Sequence, residues 1–471
     1  MPKTTGNVGR ERLIVAVLAA AGMLSSLQFT LMVPALPEIP AMLHVSAADA
    51  SWVITITLLT STLGTPIIAR MADMYGRRRM LLLSLALLVV GSLIGPLGTT
   101  LPLMLVGRAL QGFAMAILPI GISLLSTLVS PARANMGIAL MSGTMGVGST
   151  LGLGLSGVLT AWGGLYAVFW SSAVVGTVFL ILIRVIIPEG PTAGGRSFDV
   201  IGTLLLAVCL SSLLLVISQG LQWGLTSPRV ITLGITSAVS LALWVPYELR
   251  HPSPVVDLRL ALRNPILQIN IASFFGSVGM YSNYLLTMQE ARGPVAQGMG
   301  LGIPIAVAGL VLTPTALAMI LLSPAAGRTL NRWGGRATLV FGSAVMACAF
   351  LLRSFVHGTL IAVLLGSLLV GAGVAFAFAA MPTLIIAAAP AAQAAAATGV
   401  NSLSRALSGA LTSAAFALVL TAMPSTPGGD YLSDAGLTVA LLGSAALAAL
   451  TALVALSLAR RPAQIPSGGF R

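Results

Sequence analysis

Apolar runs of about twenty residues, separated by short polar breaks, recur along the whole chain. A helix needs about twenty apolar residues to cross a hydrocarbon core roughly 30 Å thick. The first run covers residues 13–33, between a basic N-terminus and a proline-rich turn. It is too long for a signal-peptide core and reads as a retained span. Five more follow at 51–70, 80–98, 101–127, 135–160 and 165–187. A polar break from Pro188 to Asp199 precedes runs at 200–218 and 230–247, and a second break runs from Glu248 to Asn264. The last six lie near 268–288, 303–325, 338–356, 359–388, 398–423 and 436–459. The pattern predicts an all-α polytopic membrane protein of fourteen spans, grouped six, two, six. Its parts are a cytoplasmic tail (1–12), a six-helix half (13–187), two inserted helices with their loops (188–264), a second six-helix half (265–459) and a cytoplasmic tail (460–471).

Composition closes off the soluble alternative. The 471 residues are 57% hydrophobic and 7% charged, against roughly 25% charged in soluble chains. The net charge of +13 raises nucleic acid as a partner. Its basic residues, however, stand in twos to fours between apolar runs rather than in a stripe, so nucleic acid is excluded and orientation is the reading that remains. With the N-terminus in the cytoplasm, 19 of the 24 basic residues fall on that side; Arg229, Arg292 and Arg353 fall outside, and Arg108 and Arg405 lie within spans. Cys209 and Cys348 sit inside apolar runs without metal-ligand spacing and read as packing residues, and no cofactor is expected. One Lys against 23 Arg, with abundant Ala and Gly, associates the chain with a bacterial cytoplasmic membrane.

The chain also repeats itself. Pro66 to Arg78 ("PIIARMADMYGRR") matches Pro324 to Arg336 ("PAAGRTLNRWGGR") at an offset of 258 residues, each at the end of the second span of a six-span group. Parallel repeats of this kind occur in secondary transporters. In the first copy Asp73 and Gly76 stand among Arg70, Arg77, Arg78 and Arg79; in the second, Asn331 replaces the acid and is followed by Arg332 and Arg336.

The first copy resembles the loop between helices two and three of the major facilitator superfamily, where acid and arginines form a gating latch between the halves. The resemblance implies a latch that is stronger in the N-terminal half. "LVGRALQGFAMA" in the fourth span is similar to the same superfamily's helix-four pattern, with Gln111 three residues beyond Arg108, and implies that Arg108 takes part in proton or substrate coupling. "GVGSTLGLGLSG" resembles the helix-five motif of exporters, with Gly148, Gly152 and Gly157 at packing intervals; Ser149 and Leu153 replace its usual prolines, so a straighter helix is expected. The fourteen-span count, "LRHPSPVVDLRLALRNP" and "NSLSRALSGALTSA" together resemble the fourteen-helix drug:proton antiporters.

One departure bears on coupling. Gln28 stands where many members of that branch carry a first-helix Asp, and Gln does not titrate. All eleven acids fall in loops or at span ends, which leaves Glu38, Asp73 and Glu290 as proton-carrier candidates; Glu290, beside Gln289 and Arg292, also reads as a loop ion pair. The polar cavity candidates are Gln28, Gln111, Asn270, Asn283 and Asn401, each open to the alternative of an interhelical hydrogen bond. With Arg108 and Arg405 as the charges inside spans, neutral or anionic amphiphiles fit at least as well as cations. The expected function is alternating-access, proton-coupled export of small amphiphiles by a monomer in the bilayer. The alternatives are a facilitator or exporter without proton coupling, or a transporter-like sensor. No clustered groups at catalytic spacing favour an enzyme, and inserted spans seven and eight are expected at the periphery.

Overall fold

The computed structural model describes residues 8–32, 39–97, 100–189, 198–224, 226–295, 300–304, 308–426 and 431–458. Among these residues the regular elements are helical, with one isolated bridge between Pro424 and Leu432. Helices α1 (Val8–Leu31), α2 (Ala47–Tyr75), α3 (Arg77–Leu97) and α4 (Leu101–Leu128) come first, α4 tightening into a 3-10 turn at Phe113–Ala116. Pro131–Ile186 is helical almost throughout but breaks at Gly163 and Gly164, giving α5 (131–162) and α6 (165–186). Gly164 has φ 63°, a left-handed conformation that costs glycine little because it has no Cβ.

Helices α7 (Val200–Trp223), α8 (Pro228–Arg250) and α9 (Ile266–Arg292) follow. Thr313–Phe355 breaks at Gly334, φ 78°, into α10 (313–333) and α11 (335–355). The chain closes with α12 (Leu360–Ala388), α13 (Ala394–Ala422) and α14 (Asp434–Ser457). Among the described residues eleven stretches are long and apolar enough to cross a membrane, α10 and α11 counting together as one. Asp199, Ser227, Thr359 and Ser433 accept backbone N–H groups at the starts of α7, α8, α12 and α14 and so fix where those helices begin.

Two buried apolar clusters hold the helices together. One is built from residues of α1 to α6, such as Leu18, Leu85, Ile117 and Ile183; the other from α9 to α14, such as Met280, Leu339, Val374 and Leu441. Each borrows a residue across the boundary, Ala395 and Ala139 respectively. Large apolar side chains such as Val185, Leu321 and Ile361 point outward, as expected of a surface whose solvent is lipid.

The inserted helices divide in role. Helix α8 packs on α7 and turns an exposed apolar face outward, as expected of a peripheral helix. Helix α7, however, is a wedge rather than a bystander. Leu206 and Leu210 join Trp244, Val255 and Val256 in a cluster that reaches Leu63 and Ile67 of α2 and Val400, Leu403 and Leu407 of α13. Gln219 donates to the Thr55 hydroxyl at 3.3 Å, and Trp223 meets Trp52 at 6.4 Å. Helix α7 is thus peripheral on one face, where Val200, Ile201, Leu204 and Val208 are exposed, and packed against α2 and α13 on the other. An all-round apolar helix carries no stripe to distinguish a lipid-facing side from a protein-facing one.

Close approach of α1 to α5 depends on two glycines of the helix-five motif. A Cβ on Gly148 would collide with the Met23 carbonyl, and one on Gly152 would stand 2.7 Å from the Leu27 carbonyl oxygen. Gly157 lies on the same helix, but its surroundings fall outside the described residues. Gly152→Leu is expected to lower the yield of folded, monodisperse protein at least severalfold, measured by size exclusion in detergent, whereas Leu155→Ala on the exposed face is expected to have little effect.

Candidate functional site

The N-termini of α3, α5, α11 and α13 gather at one end of the bundle with Arg77, Arg78, Arg79, Arg133, Arg332 and Arg336. Here the loop around Asp73 makes contact across the halves. Asp73 is 5% exposed in the last turn of α2; its Oδ2 accepts the Ala396 N–H at 2.8 Å and its Oδ1 the Ala395 N–H at 3.3 Å. Those donors belong to the first turn of α13, where backbone N–H groups have no partner within the helix and a negative charge is favoured. Arg77 donates to Asp73 Oδ1 at 3.1 Å and to the Ala391 carbonyl at 2.7 Å, so acid and base both reach across to α13. Gly76, φ 111°, makes the sharp turn that sets Arg77 one turn beyond Asp73. Arg70 is buried beside them and lines a small cavity with Asp257, Asn270 and Gln393.

The repeated copy makes a neutral counterpart. Asn331 accepts from Asn135 at 2.8 Å and donates to the Ala132 carbonyl at 3.1 Å, joining α10 to α5. The remaining arginines work within their own halves or not at all. Arg78 reaches the Arg184 carbonyl and Glu189, Arg336 reaches the Ala455 and Leu456 carbonyls, and Arg332 is exposed. Arg78 and Arg336 thus brace helix ends within their own halves in this structure.

Contacts between the halves continue upward to about mid-helix. Thr398 of α13 donates to the Pro119 carbonyl of α4, Gly399 packs on Ala69 and Pro66 of α2, and the Ser142 hydroxyl of α5 donates to the Phe378 carbonyl at 2.9 Å. These hydrogen bonds between residues 8–187 and 266–458 lie between the arginine-rich end and this level.

Among the described residues, five arginines are buried inside helices: Arg70 and Arg77 beside Asp73, and Arg108, Arg353 and Arg405 further along the bundle. Arg108, 2% exposed, donates to Gln111 Oε1 at 2.6 Å, and Gln111 passes the bond to Ser92 at 2.7 Å, so the predicted pairing at three-residue spacing forms and ties α4 to α3. Arg353, assigned from sequence to the non-cytoplasmic side, lies in α11 at 2% exposed and meets Glu290 of α9 at 2.5 Å. Glu290 is thus paired in the interior with Arg353 rather than in a loop with Arg292. Asn283 accepts from Arg353 at 2.8 Å and donates to Thr315 at 3.0 Å, which makes it part of the same buried network. Arg405 lies in α13 with its guanidinium 4.9 Å from the centroid of the Phe378 ring. Asn401 donates to Asn270 and Ser273 of α9. Gln28 is buried in α1, its Nε2 without a protein partner. Glu38 lies outside the described residues.

One pair of acids escaped sequence reading. Asp199 and Glu248 are 3% and 1% exposed, and both carboxylates crowd the α-carbon of Gly202. Tyr247 donates to Asp199 Oδ1 at 3.1 Å, His251 Nδ1 lies 3.5 Å from Oδ2, and the Val256 N–H donates to Glu248 Oε1 at 2.6 Å. The two acids are 49 residues apart and look like loop residues in the sequence. Two carboxyl groups this close, without an arginine beside them, repel each other when charged. Glu248→Gln is accordingly expected to leave the thermal midpoint of the detergent-solubilised protein unchanged or raised, while Asp199→Ala, which removes the α7 cap, lowers stability by about 1 kcal/mol.

Comparison with known proteins places this architecture. The family model described as Major Facilitator Superfamily matches residues 18–413. The chain is 28% identical over 423 residues, 88% of its length and 77% of the relative's, to the multidrug resistance protein Stp of Mycobacterium tuberculosis. It is also 28% identical over 355 residues to the tetracenomycin C resistance and export protein of Streptomyces glaucescens, 73% of this chain and 63% of that one. Multidrug transporter protein MdtP of Bacillus subtilis matches at 24% over 349 residues, 74% of this chain and 63% of that one. Among solved structures, the human organic anion transporter MFSD10 superposes with a TM-score of 0.64 at 18% identity, over 94% of this chain and 99% of that one. The proton:xylose symporter XylE superposes with 0.66 at 13%, over 95% of each chain. At such identities these two show the fold.

Proposed function

Because the chain belongs to the Major Facilitator Superfamily, we propose that it is a secondary active exporter of small amphiphilic molecules, working by alternating access in a bacterial cytoplasmic membrane. The observation that carries this reading is the pattern of contact between the halves. They are joined by Asp73, Arg77 and Asn331 at one end and by Ser142 to the Phe378 carbonyl at about mid-helix. A latch that can open at that end, and close again, is what a rocking transporter needs. The arginine-rich end is cytoplasmic by the positive-inside rule, with both termini on that side and fourteen spans in groups of six, two, six. The structure then corresponds to a state closed toward the cytoplasm. Export is supported by the names of relatives: multidrug resistance, and tetracenomycin C resistance and export.

Proton coupling in the manner of the fourteen-helix antiporters is the finer proposal. Of the sequence candidates within the described residues, Asp73 is held by α13 and Arg77, and Glu290 by Arg353, so coupling through Asp73 would be tied directly to latch opening. Gln28 favours a second reading, an exporter of neutral or anionic amphiphiles without proton coupling. Expression in a susceptible bacterium lacking its own pumps tests export: raised resistance and faster efflux of amphiphilic dyes are expected, and both should disappear in Asp73→Ala. Dye efflux that persists unchanged when the proton gradient is collapsed and ATP retained would remove the proton-coupled version and leave the second reading.

A further inference from the structure

We infer that the C-terminal half holds an anion-binding subsite formed by Arg405, Ser408 and Ser277, which receives the acidic group of an anionic amphiphile; this rests on the exporter reading and names a substrate class for it. Helix α13 carries Thr398, Asn401, Arg405, Ser408 and Thr412 at alternating three- and four-residue spacing, which puts all five on one face. All are buried. In a hydrophobic bundle such a stripe either bonds to neighbouring helices or faces a polar ligand.

The two ends of the stripe follow the first course. Thr398 turns its hydroxyl to the Ala394, Ala395 and Pro119 carbonyls, Asn401 donates to Asn270 and Ser273, and Thr412 donates to the Ser408 carbonyl. The centre does not. The Nε of Arg405 and the hydroxyl of Ser408 are buried without any hydrogen-bond partner. Other buried serines, such as Ser84, Ser92 and Ser444, bond back to a carbonyl of their own helix.

A third unpartnered donor stands at the same level. Asn401 of α13 meets Ser273 of α9, and two turns further on Gly409 packs on the ring of Tyr281. The two helices therefore run in the same direction in register. Arg405, midway between Asn401 and Gly409, is level with Ser277, midway between Ser273 and Tyr281. The Ser277 hydroxyl is also buried and without a partner. Three donors, one of them a full positive charge, meet no carboxylate among the described residues.

The contrast with the other buried arginines sharpens the assignment. Arg353 is neutralised by Glu290, and Arg108 bonds Gln111 and the Val53 carbonyl though its Nη2 is left without a partner, whereas Arg405 makes no hydrogen bond among the described residues and lies over the Phe378 ring. An aromatic face stabilises a guanidinium without satisfying its N–H groups. Leaving such groups unmade in a low dielectric is costly, and a bound carboxylate or sulfonate would remove that cost. The place suits a transported molecule. Arg405 lies roughly 16 Å along α13 from its start, about the middle of a 30 Å core. Phe378, whose carbonyl takes the cross-half bond from Ser142, puts the subsite beside the seam between the halves. Phe378 and Tyr281 offer ring faces to the apolar part of the ligand.

The test uses the full chain in detergent and in vesicles with three probes of one ring system: 2-naphthoate, 2-naphthamide and 2-naphthylmethylammonium. The wild type is expected to bind and move naphthoate at least tenfold better than the other two. Arg405→Gln should lose that preference at least tenfold with naphthamide affinity unchanged, and Arg405→Lys should retain part of it. If Arg405→Gln does not fold, the double variant Ser277→Ala, Ser408→Ala keeps the charge, removes two donors, and should weaken naphthoate severalfold. Transport of the amide or the ammonium in preference to naphthoate, or naphthoate binding indifferent to these changes, overturns the subsite while the exporter reading stands. A wild type that binds and moves none of the three overturns both.

Discussion

Asp73→Ala is expected to reduce transport at least tenfold while the protein stays folded, and to expose the arginine-rich end to thiol reagents. The carboxylate accepts two N–H groups at the start of α13 and holds Arg77, which itself reaches the Ala391 carbonyl. Hydrogen bonds to a charged group contribute about 1.5–3 kcal/mol each. Losing the acid leaves the helix start and a buried guanidinium without their acceptor, and the loss falls almost entirely on the state in which the halves meet. A bias of about 3 kcal/mol changes a two-state ratio roughly 150-fold. A transporter that spends nearly all its time open at one end cycles slowly, whichever direction it carries solute. Asp73→Asn keeps the shape but turns an amide N–H₂ toward donors, so a loss nearly as large is expected. Efflux rate and labelling of a cysteine placed at Asn135 check both variants; wild-type rates with unchanged labelling would count against the latch.

The second large effect concerns stability. Arg353 and Glu290 are each almost fully buried, 2.5 Å apart, within a network that includes Asn283, Thr287, Thr315 and Ser367 and spans α9 to α12. Removing one partner of a buried pair leaves an uncompensated charge and costs about 3–5 kcal/mol, whereas replacing both with apolar side chains is often nearly neutral. Arg353→Met and Glu290→Leu alone should each lower the thermal midpoint sharply in detergent, and the double variant should recover most of the loss. Additive losses in the double variant would show that the pair is not the unit of stability.

How far these features were legible in the sequence depends on what kind of signal carried them. Long apolar runs and the placement of arginines located the helices, because the bilayer imposes one length and one charge asymmetry on every span. The Asp73 loop was legible because glycine, acid and arginine are adjacent in the chain, and Gln111 because it stands one helical turn from Arg108. Arg353 and Glu290 were not. Each lies near the end of its apolar run beside polar neighbours, and only the packing of α11 on α9 buries them together. Asp199 and Glu248 escaped for a similar reason: they sit at opposite ends of the inserted hairpin, α7 and α8, and meet only when it closes. The repeat invited symmetric roles for Arg332 and Arg336, yet Gly334 turns the chain so that one is exposed and the other braces α14. The wedge position of α7 had no signal, since its apolar residues serve lipid and protein equally well.

Alternation at the latch is the central claim, and a distance across it tests that claim most directly. Spin labels at Arg79→Cys and Arg332→Cys, exposed at the same end of opposite halves, report the separation in a background with Cys209 and Cys348 replaced by serine. Pulsed dipolar spectroscopy in lipid nanodiscs should show a short distance in the wild type and a second, longer one. The longer distance should grow when a transported amphiphile is added and dominate in Asp73→Ala. A single distance, unchanged by the amphiphile and by loss of Asp73, would contradict it.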